Sequence, residues 1–104
     1  MMDLLSSKYK DILLYLFNHN GKNQREIQQS VGGSFSTIKK YIDILESQGL
    51  INKRIEVNRD DKGNQVVGHQ NVFFITDKGK NIVQKLLAIN KLKDEIKEIM
   101  EKEE

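Results

Sequence analysis

The 104-residue sequence contains no cysteine, no proline and no tryptophan, and only two histidines, His19 and His69. Without cysteine there are no disulfide staples, no thiol nucleophiles and no zinc–thiolate sites, and the composition suits a reducing compartment. Two isolated histidines do not assemble a metal site. Long apolar runs are also missing. No stretch approaches the roughly 18 apolar residues of a membrane-spanning helix, and Met1–Lys8 lacks the basic start and apolar run of a secretory leader. These absences lead to the expectation of a soluble, cytoplasmic protein. Nor does the sequence present a nucleophile–base pair, a carboxylate pair or a phosphate-binding loop. A chain of this length forms one domain that buries roughly 65% of its unfolded surface, which allows a modest core but not an elaborate catalytic cleft. A non-enzymatic protein with no cofactor and no metal is expected.

The charge is less even than the net +2 suggests. Residues 94–104 carry six acidic side chains against Lys97 and Lys102, a local −4, which leaves +6 on residues 1–93. A basic body with an acidic tail points to a polyanionic partner for the body.

Hydrophobic periodicity supplies the elements. Tyr9, Ile12, Leu13, Leu16 and Phe17 recur at helical spacing, with Ser6 or Ser7 as N-cap and an end near His19-Asn20-Gly21. Asn23 followed three residues later by Glu26 is a capping-box pattern, and it opens a short second helix with Ile27 and Val31 on one side. Gly32-Gly33 breaks that helix, and Ser34 caps a third running from Phe35 to about Gln48. On this third helix Phe35, Ile38, Tyr41, Ile42 and Leu45 share one face. Ser36, Lys40, Asp43 and Ser47 lie opposite, flanked by Thr37 and Lys39. Gly49 closes the helix.

The period then changes to two. Ile51, Lys53, Ile55 and Val57 alternate with polar residues as in a half-buried strand, and Arg59–Asn64 is a turn. Val66-Val67 and Val72–Ile75 rebuild a returning strand, so residues 51–75 read as a long hairpin with a charged tip and an irregular middle at Gly68–Asn71. The alternation places Phe73 and Ile75 in the core. Phe74 and Ile44 point off their elements' core faces, either as a subunit contact or as single exposed apolar residues. Thr76-Asp77 caps a last helix of roughly 24 residues, about 36 Å, along which apolar residues persist from Ile82 to Met100. No internal repeat or flexible linker interrupts the chain.

This order of helix, helix, glycine turn, helix and two-stranded wing is the winged helix-turn-helix arrangement, an α+β fold that is mainly α. Ser36-Thr37-Ile38-Lys39-Lys40-Tyr41-Ile42 followed by Leu45-Glu46-Ser47-Gln48-Gly49-Leu50-Ile51 resembles the recognition helix and strand entry of winged-helix regulators. Phe73-Phe74-Ile75-Thr76-Asp77-Lys78-Gly79-Lys80 is similar to the Leu-Thr-x-Lys-Gly-Arg junction between wing and final helix in MarR-type regulators. With Glu26-Ile27, the likeness covers roughly residues 8–87. Met1–Ser7 is short for the extra N-terminal helix of MarR-type proteins, and Gly33 stands where an apolar turn residue is usual. The closer likeness is to minimal winged-helix regulators, as in several small archaeal and viral proteins, which pair through the C-terminal helix. Residues 1–75 then form the winged core, with the wing at 51–75. Residues 76–104 form the final helix, its first half packed on the core, its second half pairing, and its end acidic.

The expected partner is double-stranded DNA. A major groove about 12 Å wide accepts one helix. The candidate contacts are Ser34, Ser36, Thr37, Lys39 and Lys40 at the start of helix three, with Ser34 and the helix N-terminus facing a phosphate. Lys40 would read guanine or sit on phosphate. Asp43, an anion on the same face, would accept from cytosine or lie beyond the contact zone. Arg59 and Lys62 at the wing tip would straddle the backbone or enter the minor groove.

Ile82, Val83, Leu86 and Leu87 are expected to cover the domain, whereas Ile89, Leu92, Ile96 and Ile99 repeat at a/d spacing beyond its edge and call for a second copy. Leu4, Leu5, Met100 or the first helix would have to assist so short a seam. The expected protein is thus a homodimeric, sequence-specific transcription regulator with no evident small-molecule effector. Two other readings stay open: a winged-helix protein-interaction module, and an architectural, chromatin-like protein without base preference.

Overall fold

A computed structural model, described here over residues 7–102, runs in the order α1 (Lys8–Asn18), β1 (Lys22–Asn23), α2 (Gln24–Val31), α3 (Phe35–Ser47), β2 (Ile51–Arg59), β3 (Gln65–Ile75) and α4 (Asp77–Lys102). The helices form where apolar residues recur every third or fourth position. Ile12, Leu13 and Leu16 of α1, Ile27 of α2, and Ile38, Ile42 and Leu45 of α3 converge on one core with Leu50, Ile51, Phe73, Ile75 and Val83. Tyr9 of α1 meets Tyr41 of α3 edge to face, with ring centroids 4.7 Å apart, a favourable geometry for two aromatic quadrupoles.

The helix ends follow local chemistry. Asn23 and Glu26 form the full capping box: Glu26 N–H donates to Asn23 Oδ1 at 2.8 Å and Asn23 N–H to Glu26 Oε1 at 3.1 Å. At α1, Ser7 is the N-cap residue by position, as expected, with an extended backbone. Its hydroxyl, however, is buried and unpartnered among the described residues and makes no capping bond. Ser6, the other candidate, lies outside the described residues, as do Leu4 and Leu5. The adjacent Lys8 ammonium instead reaches across to the carbonyl of Val31 at 2.6 Å, a cation at the C-terminal end of α2. Between α2 and α3, Gly32 and Gly33 adopt φ of 79° and 95°, a left-handed backbone that a side chain would strain. This accounts for glycine at 33 in place of an apolar residue. At the end of α3, Gly49 N–H donates to Glu46 O and Leu50 N–H to Leu45 O, each at 3.0 Å, the paired bonds of a Schellman closure.

The sheet has the order β1-β3-β2, all antiparallel. Strand β1 has no counterpart in the sequence reading. Lys22 and Asn23 pair with Phe73 and Val72, held by Gly21 N–H on Phe73 O at 3.1 Å and by the Asn20 side chain, which accepts from Ile75 N–H at 2.9 Å. Strands β2 and β3 pair in register from Ile51↔Ile75 to Val57↔His69, and the register then jumps to Arg59↔Gln65. The irregularity expected around Gly68 therefore sits at Val66–Gly68, opposite Asn58, with Gly68 at φ 111°.

Three burial expectations are corrected. Strand β2 is buried only at Ile51, and Ile55 is 66% exposed, because the hairpin extends past the helices that would cover it. Phe35 belongs to the apolar face of α3 by periodicity yet is 52% exposed, since it sits at the first position of the helix, beyond the edge of the core. Leu87 is 47% exposed and does not help cover the domain; Val83 and Leu86 are buried on the core-facing side and Ile82 packs at its margin. Phe73 and Ile75 are core residues as expected. Phe74 is half-buried beneath the Arg54 guanidinium, 4.6 Å from the ring centroid, and against Gly21.

The junction of β3 with α4 locks the fold. Thr76 Oγ1 accepts from Gly79 N–H at 3.0 Å and lies 2.7 Å from Gly49 O and 3.0 Å from Leu50 O. Lys78 donates to Gln48 O at 2.9 Å. A Cβ on the buried Gly79 would collide with the Leu50 carbonyl oxygen. The Thr-x-Lys-Gly pattern thus caps α4 and satisfies carbonyls at the end of α3 in one stroke. Helix α4 continues for 26 residues, about 39 Å, and every described residue from Asn90 onward is exposed.

Candidate nucleic-acid interface

The first turn of α3 is built to present donors. Ser34 caps it, accepting from Thr37 N–H at 3.2 Å while its own hydroxyl donates to Thr37 Oγ1 at 2.7 Å. Thr37 Oγ1 thereby becomes an acceptor inside the protein, which leaves its proton for an outside acceptor. The first intrahelical bond is Ile38 N–H to Ser34 O at 3.0 Å, so the N–H groups of Phe35 and Ser36 have no acceptor within the helix. With the helix dipole, they make this end receptive to an anion.

Ser34, Ser36, Thr37, Lys39 and Lys40 are all exposed here, so the sequence-predicted set is brought together on one helix end. The two lysines differ. Lys39 is 2.8 Å from Asp43 in an i,i+4 ion pair, an arrangement the sequence reading of Asp43 did not include. Lys40 has no hydrogen-bond or ion-pair partner among the described residues.

Polar side chains of α2 brace this end. Gln24 donates to Phe35 O and Gln28 to Gly33 O, both at 3.1 Å. The first residue of α2 is thereby tied to the first residue of α3. Arg25, exposed on the opening turn of α2, is a candidate the sequence reading passed over. Its signal was the capping box itself, which marks where that helix begins.

At the wing tip, Gly63 N–H donates to Asp60 O at 3.0 Å and Asp60 N–H to Asn64 O at 2.9 Å, with Gly63 at φ 82°. Asp60 Oδ1 accepts from the N–H groups of Lys62 and Asn64 at 2.9 and 2.8 Å, so this carboxylate serves the turn. Arg59 folds over it, its guanidinium donating to Gly63 O at 3.0 Å, and Lys62 is exposed beside it. Among the described residues no cluster of histidine and carboxylate side chains is arranged to hold a metal, and no helix is long and apolar enough to cross a membrane.

The sequence profile described as winged helix-turn-helix matches residues 9–94. The chain belongs to the winged helix-turn-helix family. No curated protein matches its sequence. Among solved structures, this winged helix-turn-helix chain is similar to MepR, a transcription regulator of the Staphylococcus aureus multidrug efflux pump MepA, with 19% identity over 96% of this chain and 66% of that one and a TM-score of 0.68. It is also similar to RV1404 of Mycobacterium tuberculosis, with 18% identity, 94% and 60% coverage and a TM-score of 0.71. The PcaV transcriptional regulator of Streptomyces coelicolor, in complex with its natural ligand, gives 26% identity, 80% and 53% coverage and 0.62. The winged helix-turn-helix chain therefore spans two thirds or less of the length of these structures.

Proposed function

We propose that this winged helix-turn-helix protein is a transcription regulator that binds specific double-stranded DNA as a homodimer, with α3 in the major groove and the wing on the backbone or in the minor groove. The observation that carries this reading is the exposed opening turn of α3, where Ser36, Thr37, Lys40, which has no partner among the described residues, and two backbone N–H groups without an acceptor in the helix share one helix end. Hydroxyls and a lysine suit base edges, and the N–H groups suit a phosphate. Arg25 on the preceding helix, which crosses the backbone in helix-turn-helix docking, would add a phosphate contact. Support also comes from MepR and PcaV, which are described as transcription regulators. For the dimer, the support is the row Leu92, Ile96 and Ile99, exposed beyond the half-buried Ile89 and without cover among the described residues. Pairing two copies would bury it and present two α3 helices to half-sites about 34 Å apart.

The test is binding to duplex DNA selected by the protein from a random pool, repeated as salt is raised. Six to ten neutralised phosphates give a log–log slope of roughly −5 to −9. A flat salt response, or equal competition by random duplex, would remove the sequence-specific reading.

A further inference from the structure

Phe35 is the residue on which helical periodicity and the structure part company. Its azimuth is that of Ile38 and Ile42, which are fully buried, yet Phe35 is 52% exposed at the first position of α3. It is not a loose side chain on a frayed end. Its own carbonyl is held by Gln24 at 3.1 Å, the residue before it caps the helix, and the cap is doubled by the Ser34–Thr37 hydroxyl contact at 2.7 Å. Its chain neighbours are Gly33, Ser34 and Ser36, all much smaller, so the ring is the most prominent side chain on that turn.

We infer that Phe35 recognises the 5-methyl group of a thymine, an inference that rests on the reading of α3 as the groove-binding helix. Serine and threonine side chains are short. A recognition helix meets base edges with its N-terminal residues, and Phe35, exposed at the first position of α3, stands on the same opening turn as Ser36 and Thr37. Among the base edges of the major groove, which otherwise present hydrogen-bonding groups and small C–H edges, the thymine C5-methyl is the one apolar group that projects. A phenyl ring pressed on carbonyls, amino groups or phosphates would strip them of water and return no hydrogen bond, which is unfavourable. Against a methyl group the same ring buries apolar surface on both sides. The chemistry therefore selects a 5-methylpyrimidine at the position that faces the start of α3.

The test uses the full chain and the duplex it selects from random DNA, with each thymine replaced in turn by deoxyuridine, a change that deletes only the methyl group. At one position per half-site, deoxyuridine should weaken wild-type binding about fourfold, the value of one buried methyl-sized group. Phe35→Ala should bind the thymine and deoxyuridine duplexes equally, while Phe35→Leu, still apolar, should keep part of the preference. Circular dichroism melting of both variants shows that the fold is intact. Wild-type indifference to deoxyuridine at every position would overturn the inference, as would an undiminished methyl preference in Phe35→Ala, which would assign the methyl to another side chain. A uniform loss in Phe35→Ala without methyl preference in the wild type would place the ring on sugar and overturn it as well. Failure to select any site would instead strike at the regulatory reading on which it rests.

Discussion

Lys39 and Asp43 stand one turn apart, and their 2.8 Å pair withdraws a cation from the exposed face of α3. Both side chains are largely solvated, so the pair adds at most about 0.5 kcal/mol to stability. Its effect on a polyanion is larger, because Asp43→Ala removes an anion from that face and frees Lys39 at once. The expected outcome is tighter DNA binding with a salt slope steeper by about one, at an almost unchanged melting temperature; anisotropy titrations across a salt series check it. Lys40→Ala should relax base preference at one position, at a cost of about 1–3 kcal/mol. A loss equal on all sequences would assign Lys40 to phosphate. At Gly79, alanine would bring the higher helix propensity, worth up to about 1 kcal/mol. The collision with the Leu50 carbonyl outweighs it, since overpacking against backbone costs about 1–3 kcal/mol. Gly79→Ala should lower the melting temperature by several degrees. At this scale the sequence showed which residue types lie together but not their partners: the i,i+4 spacing of Lys39 and Asp43 was in plain view, and only the rotamers decided that they meet. The exposure of Phe35 was hidden for a related reason, because periodicity gives an azimuth around a helix and says nothing of where the core ends along it.

For the elements, the same distinction separates what was legible from what was not. Alternation assigned Phe73 and Ile75 inward correctly, but it continued through Ile55 and Val57 without any mark of where helical cover runs out. Strand β1 could not be read at all. Two residues carry no period, and Lys22-Asn23 is defined by what it pairs with, fifty residues along the chain. By contrast the caps, being local chemistry, were read directly at Asn23, Ser34, Gly49 and Thr76. The wing tip offers an element-level test. Asp60 holds two backbone N–H groups, so Asp60→Ala should loosen the tip alone, with faster amide exchange across residues 59–65 and little change in global melting. Replacing Arg59 and Lys62 together by alanine should weaken DNA binding on all sequences alike and flatten the salt slope by about two.

For the molecule as a whole, the deciding quantity is association. Ile96 is 57% exposed and contributes little to the folded body, so Ile96→Asp should give a folded monomer by light scattering, with weakened DNA binding and no preference for two half-sites. A variant that remains dimeric would exclude the α4 row as the seam. Leu86 is the last buried residue of α4 and Ile89 the last half-buried one, while the helix runs unbroken to Lys102, so about 13 residues, roughly 20 Å of uninterrupted helix, are exposed beyond Ile89. Joined at that free arm, each reading head would hang from a lever. A change in the crossing angle of the paired arms would swing the two heads relative to one another. With α2 and α3 braced together, the spacing of the two halves of a target would become a question of angle, and any agent that bends or twists the joint would retune the whole protein without touching a residue that meets DNA.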